Sequence, residues 1–199
     1  QLREVTMHAI EILMGEHKRI AELLTLLNTG AERIVANRPP PRAFFEVGVQ
    51  LARQYADQAH HFKEEYVLFG LLAQKHHGEL DGHIERHRNQ HEQCRDLLNA
   101  TSSALSAYEA NKEEAIKIVH RNITEYVRTL RSHIRSENEV FFPLAQTTLS
   151  QADQDQLMEE YRRFEAKHAD SEKNLNEGLA QMRSMLEADR SNIRTAITP

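Results

Sequence analysis

Apolar residues recur along this chain at alternating steps of three and four, the spacing that lines one face of an α-helix. In the first segment they are Ile10, Leu13, Ile20, Leu24, Leu27, Ala31 and Ile34, with His17 standing where the face needs its next member. The run Pro39-Pro40-Pro41 cannot continue a helix and ends this one near Arg38. A second segment, from about Arg42 to His76, is less regular, with Phe45, Val49, Ala52 and Ala56 leading into His60, Glu64, Val67 and Leu71. Gly78, Asp81 and Gly82 then read as a short connection. The third segment returns to strict three–four steps through Ile84, His87, His91, Cys94, Leu98, Thr101, Leu105 and Tyr108. The fourth does so through Ile116, Val119, Ile123, Tyr126, Leu130, His133, Glu137, Val140 and Leu144, with Asn111 as its expected N-cap. Four long helices with short joints predict an all-α, up-down-up-down antiparallel four-helix bundle over residues 1–149. Residues 150–199 add a C-terminal helix with Leu157, Tyr161, Phe164, His168 and Leu175 on one side. That helix is expected to pack on the bundle or to join two subunits in a homodimer, and its tail to fray from about Ser191.

Composition narrows the function classes. Only seven glycines and five prolines occur in 199 residues, and three of the prolines form one run, so long helices are permitted almost everywhere else. The net charge of −5 is spread over interspersed signs, which leaves no basic stripe for phosphates and argues against nucleic acid. No apolar run reaches membrane-spanning length, so no membrane is expected as a partner. Cys94 is the single cysteine, which excludes an internal disulfide and any cysteine-rich metal site and fits a reducing, cytoplasmic compartment. No signal peptide is visible, and since the residues begin at Gln1 rather than Met, a processed leader stays open.

The 12 histidines carry the chemistry. His17, His87, His91, His133 and Glu137 occupy seam positions that otherwise hold apolar residues, so they point into the bundle. A buried carboxylate among several imidazoles is costly unless something satisfies them together, and a cation does so. The pattern also repeats. From His17 to the pair His60-x-x-x-Glu64 is 43 residues, and from His91 to the pair His133-x-x-x-Glu137 is 42. The segment Glu16-His17-Lys18-Arg19-Ile20-Ala21-Glu22-Leu23-Leu24 resembles Gln90-His91-Glu92-Gln93-Cys94-Arg95-Asp96-Leu97-Leu98, and Leu68-Phe69-Gly70-Leu71 corresponds to Phe141-Phe142-Pro143-Leu144. Each half supplies a lone histidine and an i, i+4 histidine–glutamate pair that one helix face presents a turn apart. Two facing halves predict two metals bridged by two carboxylates. Aligning Phe69 with Phe142 prefers His60 and Glu64, keeping His61 and Glu65 in reserve. The repeat breaks at His87, whose counterpart is Leu13, so one metal is expected to have three imidazoles and the other two. An open coordination position is expected beside Leu13, in apolar surroundings that suit a small neutral ligand.

These residues resemble the hemerythrin-like, or HHE cation-binding, family in its bacterial form, over roughly residues 6–149. The resemblance implies a four-helix bundle with two iron ions in an oxo- or hydroxo-bridged di-iron centre. It implies that His87, His91 and His133 bind the six-coordinate iron, that His17 and His60 bind the five-coordinate iron, and that Glu64 and Glu137 bridge. The vacant position would take dioxygen for storage, delivery or sensing. The alternatives are an enzyme acting on peroxide or nitric oxide, and an iron-handling or iron–sulfur repair protein. Animal oxygen carriers place an aspartate five residues after the last histidine, where this chain has Asn138; bacterial relatives commonly use the His-x-x-x-Glu seen here. Members that repair iron–sulfur proteins or handle nitric oxide often carry a cysteine-bearing N-terminal module, which these residues lack.

The remaining candidates read more plainly. His83 lies beside the seam marked by Ile84, as an outer partner or a surface residue. His168, in Glu165-x-x-His168, is expected to pack rather than to bind metal, since one such motif falls short of a ferritin-like site. His8, His76, His77 and His120 are expected at the surface. Tyr126, two turns before His133, is expected as a core tyrosine with a redox or gating role as the alternative, and Cys94 as a small buried hydrophobe.

Overall fold

The structure, a computed structural model, describes residues 9–75 and 78–196. His8, His76 and His77 lie outside them. The described chain is all-helical, and six helices carry it: α1 (Ala9–Val35), α2 (residues 42–75), α3 (Asp81–Glu109), α4 (residues 113–148), α5 (Gln151–Lys167) and α6 (Ser171–Ala196). Helices α1 to α4 form an antiparallel up-down-up-down bundle in which α1 lies against α2 and α4, and α3 against the same two. The joints are made by residues that tolerate a left-handed backbone. Asn37 has φ 55°, with the Arg38 amide donating to the Arg33 carbonyl at 2.8 Å and the Asn37 amide to Ile34 at 3.1 Å. This is a Schellman stop, made before the proline run is reached. Asn111 has φ 54° and makes the same two bonds, from Lys112 to Ala107 and from Asn111 to Tyr108. It therefore closes α3 rather than capping α4, whose N-cap is Lys112 with no side-chain cap bond.

Two helices depart from regular geometry. In α2, the stretches Ala52–His61 and Lys63–Leu68 have wide turns with i→i+5 bonding, between regular pieces Arg42–Leu51 and Phe69–Lys75. In α4, Glu137–Phe141 is wide between Glu113–Ser136 and Phe142–Thr148. An extra residue per turn rotates everything downstream. The seam therefore passes through Leu68 and Leu72 instead of the expected Val67 and Leu71, which are half-buried. Likewise Phe141, Phe142 and Ala145 are buried, whereas Val140 and Leu144 are 50% and 38% exposed. In α3, which stays regular, every expected seam residue from Ile84 to Tyr108 is buried.

The apolar interior falls into two bodies. One contains Ile20, Leu24, Phe45, Ala56, Cys94, Leu98, Tyr126 and Leu130; the other contains Ile10, Leu13, Leu68, Phe69, Ile84, Phe141 and Phe142. Along every bundle helix the polar seam residues stand between the two. The additional C-terminal helix is divided by a turn at His168–Asp170. Helix α5 starts on a capping box between Ser150 and Asp153 and lays Leu157 and Tyr161 into the second apolar body. Helix α6 lays Leu175, Leu179, Met182 and Leu186 on α1 and α2. Its backbone continues past Ser191 to Ala196, since neither glycine nor proline occurs there to break it.

Candidate metal centre

The structure brings all seven sequence-predicted residues together in the layer between the two apolar bodies. His17 is 2% exposed, His60 1%, and Glu64, His87, His91, His133 and Glu137 0%. Helix α1 contributes His17, α2 contributes His60 and Glu64, α3 contributes His87 and His91, and α4 contributes His133 and Glu137. The His17 Nε2 lies 3.2 Å from Glu137 Oε2 and 3.9 Å from Glu64 Oε1, and His60 Nε2 lies 3.2 Å from Glu64 Oε1. On the far side, His91 Nε2 is 3.4 Å from Glu64 Oε2, His133 Nε2 is 3.0 Å from Glu137 Oε2, and His87 Nδ1 is 3.5 Å from Glu137 Oε1.

The opposite edges of four rings face outward to a closed set of acceptors. His60 Nδ1 donates to Glu16 at 2.9 Å, His91 Nδ1 to Glu65 at 2.6 Å, His133 Nδ1 to Gln90 at 3.1 Å, and His17 Nδ1 to Asn138 at 2.9 Å. Each acceptor is the chain neighbour of a predicted ligand on the adjoining helix, so the bonds run once around the bundle from α1 through α4. Carboxylate and amide oxygens can only accept, which places a hydrogen on Nδ1 and turns Nε2 inward, where it would give its lone pair to a cation bound in place of a proton. The inward-turned Nε2 atoms meet carboxylate oxygens. Among the described residues, Nε2 of His17, His60 and His87 and all four oxygens of Glu64 and Glu137 are buried without a hydrogen-bond partner. Such a set of electron-pair donors fits a cation, because only positive charge satisfies them at once.

Electrostatics point the same way. Burial alone would lower His60, but the Glu64 and Glu16 carboxylates push it up to about 10. His91 is opposed by burial in the same manner and rises to about 9 beside Glu64 and Glu65. Burial raises Glu64 and Glu137, yet the surrounding imidazoles hold both well below the ordinary carboxylate range. His87 has weaker carboxylate contact, and burial takes it down to about 4.

Donor atoms within 4.8 Å of one another form three sets: His17, His60, Glu64 and Glu137; His61, Glu64, His91 and His133; and His87, His133 and Glu137. Glu64 and Glu137 each belong to two sets. His61, held in reserve by the sequence, is 2% exposed and stacks on His91 with centroids 3.7 Å apart. Its ring nitrogens have no hydrogen-bond partner; Asp57 lies 3.5 Å away, and burial lowers the ring to about 3. Glu65, the other reserve, is the outer acceptor for His91.

Sequence reasoning missed Glu16, Gln90 and Asn138 as partners of the histidines. The signal lay in the repeat, which aligns Glu16 with Gln90 and Glu65 with Asn138. It also missed Lys63, which is 2% exposed and bonded to Glu16, with Glu165 of α5 3.5 Å away. A cleft of about 230 Å³ lined by Glu16, Tyr55, Lys63, Phe164 and Glu165 opens on this pair. His83 is half-buried, its ring 6.1 Å from Phe141. His120 is also half-buried. His168 is exposed, because α5 ends there; it stacks on Phe164 at 4.0 Å instead of packing inside. Tyr126 and Cys94 are core residues of the first apolar body, and burial raises the Cys94 thiol to about 12.

A four-helix bundle with a buried histidine–glutamate layer defines a metal-binding protein. Residues 8–145 match the family described as Hemerythrin HHE cation binding domain, and the chain belongs to it. Among curated relatives, the uncharacterized protein Rv1995 of Mycobacterium tuberculosis is 28% identical over 167 residues, 81% of this chain and 65% of that protein. The iron-sulfur cluster repair protein YtfE of Escherichia coli is 26% identical over 147 residues, 72% of this chain and 66% of that protein. The chain thus spans just under two thirds of the length of these relatives. No solved structure gives a significant match. Among the described residues, no helix is long and apolar enough to cross a membrane.

Proposed function

We propose that the chain is a cytoplasmic non-haem di-iron protein that binds dioxygen for storage, delivery or sensing. The observation that carries this is the layer of inward-facing nitrogen and oxygen donors without hydrogen-bond partners. His17 and His60 would hold one iron, His87, His91 and His133 the other, and Glu64 and Glu137 would bridge. Imidazole and carboxylate donors suit iron, and a coordination position left open favours a redox-active pair over a closed structural zinc site. When bound, the two irons supply reversible electron donation to a small oxidant.

The residues around the layer do the rest. Glu16, Glu65, Gln90 and Asn138 fix ring orientation, which keeps each Nε2 lone pair directed inward. Leu13 and Phe142, both fully buried, exclude water next to His17; the Phe142 ring lies parallel to the His17 ring at 5.4 Å. That side of the layer is where the repeat places a leucine opposite His87, so the open position belongs to the iron of His17 and His60.

The test is metal analysis with anaerobic reduction followed by air exposure, watched in the visible spectrum. Two irons per chain and an oxygen-dependent band that vanishes on deoxygenation are expected. One metal or none per chain would overturn the two-iron reading. Rapid autoxidation with consumption of peroxide or nitric oxide would instead favour an enzyme, or a role in iron–sulfur repair such as the YtfE relative's name states.

A further inference from the structure

Helix α5 lies outside the 8–145 span matched by the family, yet its Leu157 and Tyr161 side chains enter the second apolar body of the bundle. Tyr161 is 0% exposed and shares that body with Leu13 and Phe142. Its helix packs on α1 and on the Lys63–Leu68 stretch of α2, the elements that carry His17 and Glu64. The Lys63 ammonium stands 5.6 Å from the centre of its ring and also binds Glu16, the acceptor for His60. Tyr161 is thus inserted on the flank of the centre formed by His17 and His60. Its hydroxyl, fully buried, has no hydrogen-bond partner. Buried tyrosine hydroxyls ordinarily find an acceptor, and an apolar site gains nothing from a hydroxyl that a phenylalanine would lack.

We propose that Tyr161 donates a hydrogen bond to the ligand held at the open position, making α5 a working part of the site. The inference rests on the di-iron reading above and deepens it. The ligand class it selects is a small molecule that gains negative charge or acceptor lone pairs on binding, rather than one held by apolar contact alone. The phenol suits that role because it stays protonated. Burial, with the Glu64 and Glu16 carboxylates adding to it, holds its ionisation well above the ordinary range for tyrosine.

Azide is the probe, titrated into the full-length, iron-loaded, oxidised protein and followed by its visible band. Tyr161→Phe keeps the ring and removes only the hydroxyl. It should hold as much iron as the wild type and bind azide at least about tenfold more weakly, as loss of a hydrogen bond to a charged ligand implies. The wild type gives an independent reading: transfer to D₂O should shift the stretching band of bound azide, and the shift should be absent in the variant. Equal azide affinity in the two proteins, or no isotope shift in the wild type, overturns the role of Tyr161 while leaving the di-iron reading intact. A wild type that carries two irons but binds no azide overturns the open position itself, and this inference with it.

Discussion

At the scale of single residues, orientation matters as much as identity. His60 and His91 lean on carboxylates and His17 and His133 on amides, so each expected iron receives one imidazole of each kind. Losing such an outer partner typically costs about 10–100-fold in metal affinity. Glu16→Ala should therefore lose iron to a competing chelator about that much more readily. Glu16→Gln should fall short of that loss, since its amide oxygen can still accept, as Gln90 does for His133. His61 invites the opposite expectation. Its nitrogens lack hydrogen-bond partners, burial keeps the ring neutral, and its stacking on His91 needs only an aromatic face. His61→Phe should keep two irons per chain and raise stability by about 1 kcal/mol as an unsatisfied buried group is removed. A drop in iron content would show that it is a ligand.

At the scale of elements, the wide turns decide which residues face the centre. In α2 they shift the buried face beyond Glu64 to Leu68 and Leu72, and in α4 beyond Glu137 to Phe141 and Ala145. Glycine positions separate close packing from open surface. A Cβ on Gly178 would lie 2.7, 2.8 and 3.0 Å from three atoms of the buried Leu51 side chain, whereas one on Gly15 would meet nothing within 4 Å. Gly15→Ala should stabilise by about 0.5–1 kcal/mol through helix propensity. Gly178→Ala should destabilise by about 1–2 kcal/mol through overpacking, read as shifts of opposite sign in thermal unfolding. The start of α5 depends on Asp153, which bonds Ser150 and Lys75; the Lys75 and Ser150 bonds lower its carboxyl from 3.8 to about 2. A folded-state value below the unfolded one means stabilisation that is complete above pH 3.8 and lost as pH falls through about 2. Asp153→Asn should thus unfold more easily than the wild type at neutral pH, by about 1 kcal/mol, and the difference should vanish near pH 2.

At the scale of the whole molecule, a charged layer separates two apolar bodies, and each C-terminal helix joins one of them. Removing the metal would leave Glu64 and Glu137 buried among inward-facing imidazoles. Unpairing buried charge costs about 3–5 kcal/mol. The chelated protein should therefore melt roughly 10 °C below the iron-loaded form, with recovery when iron is returned, as calorimetry would record. The seven candidate ligands, the bundle and its order were legible in the chain itself, because residues at i, i+3 and i+4 share a helix face whatever surrounds them, and because the repeat paired His17 with His91 and His60 with His133. The register beyond Glu64 and Glu137 was not legible. An extra residue per turn leaves no trace in a three–four pattern, so Val140 and Leu144 read as seam while Phe141 and Ala145 are buried. Tertiary structure decided which acceptor meets each histidine and that the Tyr161 hydroxyl is buried without a partner. Which side chain meets a histidine from another helix depends on how the helices are rotated and stacked, and local periodicity carries no information about that.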